Sequence, residues 1–151
     1  MNASKAVMIA GIFLIILLSG CNRNAADMII KGSVTVNEKA ETLTFSGVLS
    51  DEALDPDTPF RARFFLQGKT IKNALGTDLI YTDKELKSHK EGEASKEFKV
   101  EKTVDIKKSE DIHKIISEIK NNDKEAVTIE IVNDNGRIDD KVLHDIKTSS
   151  N

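Results

Sequence analysis

The chain has 151 residues, with 22 basic and 25 acidic side chains giving a net charge of −3, two prolines, one cysteine and no tryptophan. That length fits one domain plus an appended segment. The mild acidity, with no stretch that concentrates Lys and Arg without interleaved acids, argues against nucleic acid as a partner and against adhesion to anionic lipid by charge alone, while a single cysteine excludes an intrachain disulfide.

The first element is an apolar run from Ala6 to Leu18 behind Lys5, followed by the small residues Ser19 and Gly20 and by Cys21. It is too short to span a bilayer and has the n-region, h-region and cleavage-site layout of a secretory signal peptide. Leu18 carries the apolar segment to the bilayer edge, Ser19 and Gly20 leave the backbone open to a protease, and Cys21 offers the only thiol of the chain. Leu18-Ser19-Gly20-Cys21 resembles the lipobox of bacterial lipoproteins. The resemblance covers residues 1–21 and implies that the Cys21 sulfur receives a diacylglycerol thioether, that residues 1–20 are removed, and that the new N-terminus can be acylated in turn. Two acyl chains hold a protein stably where one does not. The expected location is the extracytoplasmic face of the cell membrane. Composition resembles that of Gram-positive proteins; in a Gram-negative host, the absence of Asp after Cys21 would allow passage to the outer membrane.

Removing residues 1–20 leaves 131 residues with a net charge of −4. Residues 21–27 read as a polar tether, 28–148 as one domain and 149–151 as a tail. Ile30, Gly32, Val34 and Val36 alternate with polar residues, as do Leu43, Phe45, Gly47 and Leu49, the period of half-buried strands. Ser50 to Pro59, with Pro56 and Pro59, reads as a loop. Phe60, Ala62, Phe64 and Leu66 form the most aromatic strand. Leu75 to Tyr81 is a weaker strand with Leu79 and Tyr81 inward, and Asp83 to Ser95 reads as a mobile charged connection. Phe98, Val100, Val104 and Ile106 continue the period of two, with Lys102 on the same face.

The period then changes. Ile112, Ile115, Ile116 and Ile119 lie at i, i+3, i+4 and i+7 behind Ser109 as N-cap, which predicts the only helix of the mature chain, over about 109–121. Val127, Ile129 and Ile131 give a sixth strand, Asn135-Gly136 a type I′ turn, and Ile138, Val142 and Ile146 a poorer last strand. The sum is a mainly β fold, an antiparallel sandwich of about seven strands with the helix before the sixth. In that architecture the mature part resembles immunoglobulin-like domains, without their cysteine pair or core Trp.

Catalytic chemistry is hard to find. His89, His113 and His144 have no second His or Cys at metal-ligand spacing and read as solvated, so no metal or cofactor is expected. Ser46-Gly47 lies inside a strand and lacks the surroundings of a nucleophile elbow. The run from Asn133 to Gly136 with Asp139 and Asp140 fails the calcium-loop frame, which would place Ile131 and Val142 at ligand positions, and reads as a hairpin turn. Two constellations remain. Asp51, Glu52, Asp55 and Asp57 form an acidic loop, read as a solvated loop near Arg61 and Arg63 in preference to a cation site. Arg61, Arg63, Phe65 and Gln67 point away from the inward set of their strand, and an aromatic among arginines is the composition of an interface anchor. The expected function is therefore binding or protein interaction at the cell envelope, not catalysis. The alternative is an accessory subunit of an envelope transporter or enzyme.

Overall fold

Alternation in Leu43 to Leu49 and in Phe60 to Leu66 gives each segment one apolar face, and water is excluded when the two faces meet. In the computed structural model, which describes residues 27–108 and 112–149, they lie in two packed sheets. The strands are β1 (Ile29–Asn37), β2 (Thr42–Ser50), β3 (Pro59–Leu66), β4 (Leu79–Tyr81), β5 (Leu86–Lys87), β6 (Glu97–Asp105), β7 (Val127–Asn133), β8 (Gly136–Val142) and β9 (Ile146–Ser149). One sheet has the order β6-β2-β1-β9, the other β4-β3-β7-β8 with β5 beside the start of β3. With β1, β2 and β6 in one sheet and β3, β4, β7 and β8 in the other, the connectivity is immunoglobulin-like. Leu43, Phe45 and Leu49 of β2 and Phe60, Ala62, Phe64 and Leu66 of β3 are buried as their alternation predicts. The Phe45 and Phe64 rings meet across the sheets, centroids 5.4 Å apart, and Phe60 stands edge-on to Phe98 at 5.3 Å.

Four details depart from the sequence reading. The described residues hold nine strands because β5 interrupts the supposedly mobile connection and because the last strand divides. β8 stays with β7, whereas β9 crosses to the other sheet and runs parallel to β1, the one parallel pair among the described residues. A bulge between Ile29 and Lys31 shifts the phase of β1, so Ile29 is buried and Ile30 is 45% exposed. In β4 it is Ile80 that faces the core, while Tyr81 is exposed. Finally, only Gly136 adopts positive φ in the β7–β8 turn, at 116°, so the turn is a hairpin but not type I′, which needs positive φ at both central residues.

Two helices sit at the end of the sandwich remote from Met28. α2 (Ile112–Lys120) buries Ile115 and Ile119, with Ile112 and Ile116 at the rim. Its expected cap at Ser109 lies outside the described residues. α1 (Lys69–Leu75) was not predicted. Ile71, Ala74 and Leu75 bury one face, and Gly76, at φ 67°, ends the helix with its N–H on the Lys72 carbonyl. The first turn of α1 has no cap of its own, and Glu118 of α2 supplies one by accepting the N–H groups of Thr70 and Ile71 at 3.1 and 3.0 Å. Lys102 points inward from the edge strand β6, opposite Phe45, and is neutralised by Asp83 at 2.6 Å. An inward charge on an edge discourages pairing with another chain.

Candidate interaction face

The outward side chains of the second sheet form rows set by strand register. Leu79, Phe65, Thr128 and Val142 make one row across four strands, Tyr81, Arg63, Glu130 and Asp140 the next, and Arg61, Val132 and Arg137 the third. Arg61, Arg63 and Phe65 of β3 thus share a face. Gln67 follows the end of β3 at Leu66, is exposed, and donates its N–H to the Ala126 carbonyl at 3.0 Å in the register of the β3–β7 pairs. Phe65 is half-buried between Leu79 and Thr128, and Tyr81, 55% exposed, is the large apolar group that this face presents. Sequence reasoning missed Tyr81 because a three-residue strand shows no period.

The arginines are engaged within the chain. Glu130 is 4% exposed yet sits on the outer face, roofed by Arg63 and Arg137, whose Nε and Nη1 donate to its two oxygens at 2.6 and 3.3 Å. Burial works to lower the Arg63 pKa, and the hydrogen bond and charge of Glu130, with help from Tyr81, outweigh it and hold that pKa above its ordinary value. Breaking such a buried pair leaves an uncompensated charge, so it fixes the middle of the face. Arg61 pairs with Glu85 at 2.6 Å with both side chains more than half exposed, a contact worth little energy that forms the rim.

The acidic loop does not reach these arginines. Asp51 is fully buried, and its carboxylate accepts the backbone N–H groups of His89 and Lys96, each at 2.6 Å. Burial raises its pKa, but these two bonds and the His89 ring outweigh that and hold it below the ordinary carboxylate range. Glu52, Asp55 and Asp57 are exposed, and Asp57 pairs with Lys87 at 3.0 Å. Asp51 therefore fastens the 88–96 segment to the 51–58 loop, helped by Ser88, whose hydroxyl donates to the Asp55 carbonyl at 2.7 Å. The segment read as mobile is anchored.

His89 is not solvated. Its Nδ1 lies 3.3 Å from Asp51 Oδ2, too poorly aligned for a hydrogen bond, and is buried without another partner. His113 is on the exposed side of α2, and His144 Nδ1 meets the Ile119 carbonyl at 2.9 Å. Among the described residues no three His, Cys, Asp or Glu side chains converge as metal ligands, and no helix is long and apolar enough to cross a membrane. Asp139 is structural, since its Oδ2 takes the N–H groups of Met28 and Ile29 at 3.0 and 3.3 Å and pins the start of the domain to β8. Leu18 to Cys21 lie outside the described residues. The chain matches no protein family, no curated protein and no solved structure.

Proposed function

We propose that this chain is an extracytoplasmic lipoprotein, held to the cell membrane by diacylglycerol on Cys21, whose β-sandwich binds a protein partner at the cell envelope. The observation that carries the interaction reading is the exposed Tyr81 beside Phe65, on a sheet face fixed by the Arg63–Glu130–Arg137 cluster and rimmed by Arg61 and Glu85. Aromatic anchors with arginine around them are what interfaces concentrate, and a pinned face loses little freedom on binding. Asn22 to Asp27 separate Cys21 from Met28, a reach of at most about 25 Å, so the partner would lie close to the membrane. Photo-crosslinking from position 81 on intact cells tests the interface, and lipid labelling at Cys21 tests the anchor. A role as accessory subunit of an envelope transporter or enzyme is the second reading, and it uses the same face.

A further inference from the structure

The outer face of the other sheet carries a hollow. Register sets Lys31, Val48 and Lys99 in one row, Ser33, Ser46 and Glu101 in the next, and Thr35, Thr44 and Thr103 in the third, with Lys147 of β9 opposite Thr35. The middle row is low because its two serines are small and hydrogen-bond to each other, Oγ to Oγ at 3.2 Å. β9 pairs only with Val34 to Asn37, so the first half of β1 is left uncovered beside Asp145. The result is a depression of about 240 Å³ rimmed by three lysines and by Glu101 and Asp145. Its floor is rigid. Gly32 and Gly47 pair beneath it, and a Cβ on either would lie 2.7 Å from Leu143 or 2.5 Å from Ile129 of the opposite layer, so the backbone is pressed against the core.

Charge distribution gives the hollow its chemistry. All three arginines described, Arg61, Arg63 and Arg137, are in ion pairs, whereas among the described residues Lys31, Lys99 and Lys147 have no acid within 4 Å. Glu101 and Asp145 are likewise outside every ion pair of the described residues, so donors and acceptors share one depression without satisfying each other. Ammonium groups on two rows suit an oxyanion, the serine hydroxyls can donate or accept, and the two carboxylates suit N–H donors. We propose that this hollow binds a small zwitterion, a phosphate-type oxyanion joined to a primary amine, with Lys31, Lys99 and Lys147 around the oxyanion and Glu101 and Asp145 around the amine. Either a free solute or the headgroup of a bilayer lipid supplies that chemistry.

The test uses the full chain in maltoside detergent, with phosphoethanolamine, inorganic phosphate and ethanolamine as probes and the backbone amide resonances of Ser33, Ser46 and Lys99 as readout. Phosphoethanolamine should saturate these shifts about tenfold more tightly than phosphate. Lys31→Ala with Lys99→Ala should weaken both oxyanions about tenfold, Glu101→Gln should remove only the preference for phosphoethanolamine, and Ser46→Leu should fill the hollow, each with unfolding temperature unchanged. Lys72→Ala, on α1, should do nothing. In nanodiscs, the same shifts produced by phosphatidylethanolamine but not by phosphatidylcholine would identify a headgroup, and shifts that need the added solute would identify a free ligand. Equal affinity for phosphate and phosphoethanolamine, or no saturable shift at these amides with any probe, overturns the proposal.

Discussion

Glu118 and Ile71 join the two helices at one point, where the Glu118 carboxylate accepts the Ile71 N–H at 3.0 Å and stands in for the cap that α1 lacks. Removing an N-terminal cap costs about 1–2 kcal/mol. Glu118→Ala should lower the urea midpoint by the corresponding amount, and Glu118→Gln, which keeps an acceptor oxygen, should recover most of it. Identical midpoints for all three chains would mean that the two helices do not depend on each other.

Acid should loosen the loops at the Met28 end first. Asp51 is held below its ordinary range when folded, so the unfolded chain takes up its proton more readily, and the ionised carboxylate favours the fold above about pH 4. That contribution is lost as pH falls through the folded value. Asp51→Asn should therefore be destabilised at pH 7, where it withdraws a charged acceptor from two buried N–H groups at about 1–3 kcal/mol. Below pH 4 the gap from the unmodified chain should narrow. Parallel stability curves from pH 7 to pH 3 would count against the clamp.

Gly47 of β2 lies against Ile129 of the other sheet, where a Cβ would lie 2.5 Å from Ile129 Cδ1. Overpacking of this kind costs about 1–3 kcal/mol. Gly47→Ala should destabilise the chain by that amount, and Ile129→Val, which removes the offending methyl, should restore part of it in the double variant. Additive losses would show that the clash is relieved elsewhere.

Cys21 is the only thiol, so the proposed anchor has one acceptor. Cys21→Ser should abolish incorporation of labelled fatty acid and either release the chain to the medium or leave an uncut precursor. A labelled, membrane-retained serine variant would remove the basis for the lipoprotein reading.

Long strands with one buried face were legible. β2 and the Phe60 to Leu66 set needed only the period of two, and the Ile115 and Ile119 stripe only the helical period. Short elements were not: α1 spans under two turns, and its Ile71, Ala74 and Leu75 do not separate helix from strand. The phase error in β1 came from backbone irregularity, since the bulge that buries Ile29 in place of Ile30 leaves no mark on composition. Pairings between distant residues were invisible as well. Arg63 and Glu130 are 67 positions apart, and Asp51 meets the backbone of Lys96 across 45, so an arginine read as part of an interface anchor and an acid read as solvated are both committed inside the fold.

The claim that the β4-β3-β7-β8 face meets a protein partner is tested most directly by photo-crosslinking on intact cells, with the reactive side chain placed at Tyr81 or, as control, at Lys72. A discrete adduct from position 81, absent from position 72 and lost in Phe65→Ala while unfolding of that variant stays near that of the parent, is the predicted result. An adduct indifferent to Phe65→Ala, or equal labelling from both positions, would contradict it.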